Sequence, residues 1–176
     1  ESTIGQGLCK SELQSQLGLR AGAGAPLFGM VTRLAAQKGT GLLRAVLPQM
    51  LAETQMQLAV LGSGEAADEV FFRGLAQAYP DRVGVEIGYS DELSHRIQAG
   101  SDFFLMPSLF EPCGLSQLYA LRYGSLPVVH ATGGLEDTVE QYNEGEGTGT
   151  GFKFYAPDAG TFREAIRWAV ETWTER

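Results

Sequence analysis

Short apolar runs alternate with longer amphipathic segments along the whole chain. Six of the runs have the length of strands, and several are apolar on both faces, as is typical of strands that helices cover on both sides. These runs span residues 27–32, 57–62, 83–88, 102–107, 126–131 and 151–156. Helical spacing of apolar residues is found at 9–19, 39–52, 66–78, 91–99, 114–123 and 158–172, although Pro48 weakens the second of these helices. The alternation predicts an α/β fold with an open, doubly wound parallel sheet of about six strands.

Two cations follow the first predicted strand. Ligands of doubly wound sheets lie beyond the carboxyl ends of the strands, where loops turn into helices. Arg33 and Lys38 fall in this position, and Gly39 and the start of a helix follow them. The guanidinium fork, the ammonium group and the positive end of the helix dipole would together favour a diphosphate. Two solvated surface cations are the alternative that these residues alone leave open.

Three other strand ends carry residues that suit a ligand. Tyr89 follows the third strand, just before Ser90 or Asp91 caps the next helix, and its ring could stack on a base or pack in the core. Glu111 follows the fourth strand, where a carboxylate either caps the next helix or serves a site. After the fifth strand, two adjacent glycines either expose backbone amides to a ligand or form a tight turn.

The composition narrows the classes of partner. The 176-residue chain is 44% apolar, which suffices for the core of one domain, and its formal net charge of -8 disfavours nucleic acid and anionic membranes as partners. Cys9 and Cys113 are too few and too distant for a disulfide framework or a zinc site, so we expect a reducing compartment and no metal centre. The amino end lacks the features of a signal peptide, and no apolar run approaches the ~20 residues that cross a bilayer.

Several of these segments together resemble the bacterial glycogen synthases and plant starch synthases, which are retaining glycosyltransferases that use ADP-glucose. The resemblance rests on "TRLAAQKG", "LGSGE", "IGYSDELSHRIQAGSDFFLMPSLFEPCGLSQLYALRYGSLPVV", "ATGGLEDTV" and "GTGF", in the order and spacing of that family. It implies the carboxyl-terminal, Rossmann-like half of a GT-B glycosyltransferase. Residues 1–176 would then form its nucleotide-sugar-binding domain, without the family's amino-terminal domain and final crossing helix.

The resemblance also implies roles for particular residues. Arg33 and Lys38 match the cations that bind the distal phosphate and stabilise the departing ADP, and Tyr89 matches the residue that packs on adenine. Glu111 matches the acid that approaches the glucosyl unit. The remaining substrate-binding positions lie on two glycine-containing loops: Cys113, Gly114, Leu115 and Ser116 on the first, and Thr132, Gly133 and Gly134 on the second. In the family, amides of the first loop meet glucose hydroxyls and phosphate.

Two positions depart from the pattern of related transferases. Tyr119 stands eight residues after Glu111, where related retaining enzymes often carry a second glutamate, so a two-carboxylate mechanism loses its second acid. His130 stands where arginine is common. Neither departure affects the implied phosphate or glucose contacts.

The implied reaction is the transfer of glucose from ADP-glucose to the non-reducing end of an α-1,4-glucan, with retention at the anomeric carbon and without a cofactor. Two alternatives stay open. One is another GT-B enzyme that uses a UDP-sugar, and the other is a catalytically inert ADP-binding module, since half of the cleft would be missing. We expect a cytoplasmic location in a bacterium, or a plastid location in a plant or alga.

Overall fold

The computed structural model describes residues 3–175, which form a parallel sheet with helices on both faces. The strands are β1 (Leu27–Leu34), β2 (Gln57–Gly64), β3 (Val83–Ile87), β4 (Phe103–Met106), β5 (Leu126–His130) and β6 (Phe152–Phe154). The helices are α1 (Thr3–Leu17), α2 (Thr40–Glu53), α3 (Ala66–Ala78), α4 (Asp91–Gly100), α5 (Ser116–Tyr123), α6 (Gly133–Thr138) and α7 (Ala159–Thr174), and a 3₁₀ turn spans Ala36–Lys38. Within this range, we find no helix whose length and hydropathy would let it span a bilayer.

The strands are ordered β3-β2-β1-β4-β5-β6, and every neighbouring pair is parallel. The chain builds β1, β2 and β3 outward in one direction, and then returns to the other side of β1 to build β4, β5 and β6. This topology confirms the predicted doubly wound sheet. The loops after β1 and β4 leave the sheet toward opposite faces, and such a reversal of strand order opens a crevice at the carboxyl edge.

Side chains alternate between the two faces of the sheet and build a separate core on each. Phe28, Met30 and Leu34 of β1 pack with residues of α2, α3 and α7. Leu27 of β1 and Ala59 of β2 point to the opposite face, where α1, α4 and α5 cover them. Because both faces are buried, the strands read as nearly continuous apolar runs in the sequence.

The predicted boundaries agree with the observed ones within two residues, except at the first helix. Helix α1 begins at Thr3 rather than at residue 9, and Gly5 and Gly7 explain why the sequence did not indicate its first turns. Helix α6, with six residues, was only a possible helix in the sequence. Pro48 lies on the exposed side of α2, which continues through it to Glu53.

A buried ion pair joins α1 to the amino edge of the sheet. Lys10 Nζ lies 2.6 Å from Asp102 Oδ2 and also donates to the carbonyl of Ala25 at 2.7 Å. The same carboxylate oxygen accepts the amide of Leu27 at 2.7 Å, and the ammonium group lies 4.5 Å from the ring centroid of Trp173. Burial raises the pKa of the Asp102 carboxyl above its ordinary value, and the charge of Lys10 opposes the rise. These contacts tie the first and last helices to the sheet.

Candidate functional site

The loops after β1 and β4 meet at the carboxyl edge of the sheet, where the strand order reverses. The amide of Leu109 donates to the carbonyl of Gln37 at 2.9 Å, and Gln37 Nε2 donates to the carbonyl of Phe110 at 3.2 Å. Gly39 has a left-handed backbone with φ 80°, and a Cβ on it would lie 2.0 Å from the carbonyl oxygen of Pro107. Glycine therefore lets the two loops approach this closely.

An ion pair between these loops forms the centre of the site. Lys38 Nζ lies 2.6 Å from Glu111 Oε2, with 22% of the lysine side chain and 12% of the glutamate side chain exposed. Ser108 Oγ donates to the same carboxylate oxygen at 3.3 Å, and His130 Nδ1 lies 2.8 Å from the carbonyl oxygen of Ser108. Because a carbonyl oxygen can only accept, Nδ1 carries the hydrogen. Two of the predicted catalytic residues, 73 positions apart in sequence, are thus direct partners.

A cavity of about 90 Å³ lies beside this ion pair. The ends of β1 and β4 contribute to its wall, and so does the start of α5. The predicted site residues Lys38, Glu111, Gly114, Leu115 and Ser116 all line it. Within residues 3–175, no group of three or more His, Cys, Asp or Glu side chains is arranged to hold a metal ion. The charged groups that line the cavity are the ammonium of Lys38 and the carboxylate of Glu111, which suit an anionic ligand that also carries hydroxyls.

A larger depression of about 320 Å³ adjoins the cavity on the side of β2 and β3. The two share Val31 and Thr32 at the end of β1. Arg33 and Tyr89 line the larger depression, and Tyr89 is 89% exposed, so the alternative that this ring packs in the core is wrong. Arg33 forms no ion pair with any residue that the structure describes. Arg33 and Lys38 line neighbouring depressions rather than a single one.

The start of α4 decides which of two residues caps the helix. Ser90, not Asp91, caps the helix, because its Oγ accepts the amide of Leu93 at 3.2 Å. His95 lies on the same helix and contacts an acid and a tyrosine. Its Nε2 lies 3.8 Å from Asp91 Oδ1, and its Nδ1 lies 3.2 Å from the hydroxyl of Tyr123. Residues four apart share one helix face, which explains the contact between His95 and Asp91.

The loop between β4 and α5 presents backbone to the cavity. Gly114 has φ 68°, and no side chain caps α5 at Leu115. Ser116 is the first residue of the helix, so its amide belongs to the turn whose N–H groups have no acceptor inside the helix. Cys113 is an exposed free thiol that does not line the cavity. Any part that Cys113 has in the site therefore rests on its backbone.

The turn after β5 packs against the back of the same loop. Thr132 precedes α6, and the amide of Gly134 donates to the carbonyls of Glu111 and Pro112 at 3.0 and 3.2 Å. Gly133 has φ 49°, and a Cβ on it would lie 2.1 Å from the carbonyl oxygen of Glu111. Contact with the loop explains both glycines. The three residues of the turn line neither depression, and their binding role stays a prediction.

Sequence reasoning missed three residues that hold these loops together. Gln37 and Ser108 make the contacts described above, and Gln117 is fully buried behind the loop after β4. Their partners are mostly backbone carbonyls, and hydrophobic periodicity carries no information about such contacts. All three residues lie inside segments on which the family resemblance rests, and this is the signal that could have marked them.

The family model of the glycosyl transferases group 1 matches residues 18–176. The chain belongs to this family of glycosyltransferases. Glycogen synthase 1 of Geobacter metallireducens is 50% identical to it over 172 residues, which cover 98% of this chain and 34% of that protein. The glycogen synthase of Anaeromyxobacter dehalogenans is 50% identical over 174 residues, which cover 98% of this chain and 36% of that protein. The resemblance to glycogen synthases is confirmed.

Solved glycosyltransferase structures share the fold. The catalytic domain of starch synthase IV from Arabidopsis thaliana, bound to ADP and acarbose, superposes with a TM-score of 0.87 at 37% identity, over 97% of this chain and 36% of that one. Sucrose-phosphate synthase from Thermosynechococcus elongatus gives a TM-score of 0.70 at 27% identity, over 93% of this chain and 40% of that one. The GT-B type of fold is thereby confirmed. The chain spans about a third of the length of the glycogen synthases that it matches.

Proposed function

We propose that the chain is the nucleotide-sugar-binding domain of a glycogen or starch synthase, which transfers glucose from ADP-glucose to the non-reducing end of an α-1,4-glucan with retention. The observation that carries the proposal is the Lys38–Glu111 pair beside the cavity between the ends of β1 and β4. A cation and a carboxylate at one point suit the phosphate and the sugar of one donor. Glycogen synthases at 50% identity, and a related starch synthase bound to ADP, support this assignment.

The donor extends across both depressions in this proposal. Adenine stacks on the exposed ring of Tyr89, and the diphosphate lies between Arg33 and Lys38, which reach it from neighbouring depressions. The glucosyl unit then lies beside Glu111. The depressions measure about 320 and 90 Å³. The smaller depression, beside Glu111, lies well below the ~300 to 1,000 Å³ that sites for drug-sized ligands enclose, so in this proposal further protein closes the sugar end of the site.

Arg33 and Lys38 stabilise the departing ADP. Cleavage of the sugar–phosphate bond leaves negative charge on the diphosphate, and preorganised cations favour this transition state over the ground state. The Lys38 ammonium has three N–H donors, and one of them reaches Glu111, so the other two serve phosphate oxygens. Lys38 and Ser108 both bond the carboxylate of Glu111 and fix its position. This carboxylate then stabilises the positive charge that develops on the sugar ring in the transition state.

A front-side displacement fits these residues better than a double displacement. In the front-side route, the departing phosphate accepts the proton of the acceptor hydroxyl, and the new glycosidic bond forms on the face from which ADP leaves. A double displacement requires a carboxylate nucleophile on the opposite face of the sugar. Tyr119 stands where a second glutamate would follow Glu111, and its half-exposed side chain on α5 does not line the cavity.

The donor is tested by steady-state kinetics of the full-length protein with ADP-glucose, UDP-glucose and a maltooligosaccharide acceptor. We expect kcat/KM for ADP-glucose to exceed that for UDP-glucose by at least about tenfold, or ~1.4 kcal/mol. Tyr89→Ala should raise the KM for ADP-glucose, whereas Tyr89→Phe retains the ring and serves as its control. A clear preference for UDP-glucose would contradict the proposed donor.

The proposed reaction needs no cofactor, because fixed cations stabilise the diphosphate that leaves. Dialysis of the full-length protein against EDTA is expected to leave the rate of glucan elongation unchanged. A loss of activity that Mg²⁺ restores would contradict this.

The proposed location is the cytoplasm of a bacterium or a plastid, where the glucan acceptor would be made. Fractionation of the source cells would test this location.

A further inference from the structure

Gln117 lies behind the loop that lines the cavity and bonds to it through its side-chain nitrogen. The residue is fully buried in the first turn of α5. Its Nε2 lies 3.1 Å from the carbonyl oxygens of Cys113 and Gly114, and 3.2 Å from Thr138 Oγ1. Thr138 Oγ1 donates its own hydrogen to the carbonyl of Gly134 at 2.6 Å. All three neighbours of Nε2 can therefore only accept, which fixes the orientation of the side-chain amide.

These bonds determine which way the backbone amides of the loop point. In a trans peptide, the C=O and the N–H of one peptide plane point in opposite directions. The carbonyl of Cys113 shares its plane with the amide of Gly114, and the carbonyl of Gly114 shares its plane with the amide of Leu115. Because Gln117 holds both carbonyls in the interior, the two N–H groups point away from it. Gly114 and Leu115 line the cavity.

The turn after β5 orients a third amide of the loop. The amide of Gly134 donates to the carbonyl of Pro112 at 3.2 Å, and that carbonyl shares its peptide plane with the amide of Cys113. Three successive peptide planes thus have their carbonyls held by hydrogen bonds from inside the protein. Successive amides that are fixed together form an anion-binding concavity, and the positive end of α5 adds to its potential.

The side-chain oxygen of Gln117 also indicates that the residue is present for its N–H donors. Its Oε1 is buried and has no hydrogen-bond partner among the residues that the structure describes. A Cβ on Gly114 would lie 2.5 Å from this oxygen. A buried oxygen without a partner costs stability, and an apolar side chain of the same size would avoid that cost. The requirement for the two N–H donors explains why a glutamine is found here.

We propose that Gln117 is a positioning residue for donor binding. By holding the carbonyls of Cys113 and Gly114, it turns the amides of Gly114 and Leu115 toward the diphosphate and the glucosyl unit. Gln117 itself does not touch the donor. The inference rests on the proposed function and deepens it, since it names the side chain that sets the orientation of the donor-binding loop.

The test compares two buried glutamines in the full-length protein, Gln117→Met and Gln98→Met. Methionine has a similar length and volume but no N–H donor. Gln98 of α4 is a matched control, because it is buried, its Oε1 also lacks a partner in the described range, and it lines neither depression. Dissociation constants of ADP and of adenosine are measured by titration calorimetry, and melting temperatures are recorded for each variant.

We expect Gln117→Met to weaken the binding of ADP but not that of adenosine. Gln117→Met should weaken ADP binding by about tenfold or more, since the phosphate oxygens lose charge-assisted hydrogen bonds from oriented amides. Adenosine has no phosphate, and its affinity should change by less than about twofold. Gln98→Met should change neither affinity. If Gln117→Met does not fold, Gln117→Asn serves instead, because it keeps the amide but is one methylene shorter. It should weaken ADP binding by a smaller factor and again leave adenosine binding nearly unchanged.

Two results would overturn the proposal. Equal losses of affinity for ADP and adenosine would mean that Gln117 supports the whole domain rather than the amides of this loop. Wild-type affinity for ADP in a folded Gln117 variant would mean that the loop needs no such support. The donor assignment fails separately: if the wild-type protein binds UDP and not ADP, ADP-glucose is the wrong donor, and UDP against uridine then tests Gln117 in the same way.

Discussion

Lys38 can bond a carboxylate and a phosphate at once. Its ammonium lies 2.6 Å from Glu111 and retains further N–H donors. Both side chains are mostly buried, so their interaction is less screened than that of a surface pair, which contributes ~0 to 1 kcal/mol. Removal of one partner leaves the other charge without compensation. The two residues should therefore behave as one functional unit in mutational tests.

Lys38 should stabilise the leaving group. Lys38→Ala in the full-length protein should lower kcat. The activation free energy should rise by about 2 to 4 kcal/mol, the typical effect of removing one electrostatic contact to developing charge. Initial rates at saturating ADP-glucose measure it. Lys153→Ala is the matched control, because Lys153 also pairs with a glutamate, Glu136 at 3.2 Å, but lies on β6 and does not line the cavity. An unchanged kcat for Lys38→Ala would show that this lysine does not stabilise the leaving group.

Glu111→Gln separates charge from shape in the same pair. The substitution keeps the size of the side chain and removes its charge, so we expect a lower kcat/KM. In a cycle with Lys38→Ala, the double variant should lose less than the sum of the single losses, by about 0.5 to 3 kcal/mol. Near-normal activity of Glu111→Gln would show instead that its hydrogen bonds matter more than its ionisation.

The residues of the site were predictable from sequence to different degrees. Lys38 and Glu111 each follow a strand, so their location at one edge of the sheet followed from the fold class alone. Their direct contact did not, because a pairing across 73 positions leaves no local pattern. Gly133 illustrates the limit: a tight turn and a ligand contact both favour glycine, and only the position of the Glu111 carbonyl distinguishes them.

At the scale of elements, α6 packs closely against the loop after β4, and a glycine at the start of α6 makes this contact possible. Gly133→Ala should weaken donor binding, because its Cβ would lie 2.1 Å from the Glu111 carbonyl oxygen and would displace the loop. Gly147→Ala is the matched control: Gly147 also has positive φ, at 66°, but nothing lies within 4 Å of its added Cβ. Titration of each full-length variant with ADP measures the difference. Equal affinities of the two variants would show that only backbone strain matters at residue 133.

Element boundaries followed from periodicity wherever both faces of the sheet are covered. The buried runs of β1 and β2 were found at their starting residues, Leu27 and Gln57. The glycines at the start of α1 and the shortness of α6 removed the pattern on which a helix prediction depends. Packing against the rest of the domain supplies what local propensity lacks in such segments.

The ion pair at the amino edge gives a prediction about pH. Lys10→Met leaves the buried Asp102 carboxylate uncompensated and should cost about 3 to 5 kcal/mol of unfolding free energy at pH 8. Burial already raises the pKa of Asp102, and loss of Lys10 removes the charge that opposes the rise. The folded variant then binds a proton more readily than the unfolded chain does, so its stability deficit relative to the wild type should narrow as pH falls.

Chemical denaturation of the 176-residue chain between pH 8 and pH 5 measures that deficit. Arg96→Met is the control, because Arg96 forms an exposed pair with Glu92 at 2.6 Å and should cost less than about 1 kcal/mol. A deficit for Lys10→Met that stays constant or widens toward low pH would contradict the buried-carboxylate account.

At the scale of the whole molecule, the site occupies one edge of the domain and is open. Its charged cavity measures about 90 Å³, and Leu109, Phe110 and Leu115 are exposed around the loop that lines it. Exposed apolar side chains that cluster beside a site are typical of binding surfaces. The chain also spans about a third of the glycogen synthases that it matches. The exposed apolar side chains therefore predict that another protein surface packs beside this site.

Binding and catalysis should separate in the 176-residue chain. The purified 176-residue chain should bind ADP weakly, because Tyr89, Arg33 and Lys38 lie on it, and we expect it to transfer no glucose, because the cavity beside Glu111 measures only about 90 Å³. Calorimetry with ADP and incorporation of labelled glucose into glycogen measure the two properties, with the full-length protein as the positive control. The Lys38→Ala chain should bind ADP more weakly still, which would assign the weak binding to this site. Glucan elongation by the 176-residue chain would show that one domain suffices for catalysis.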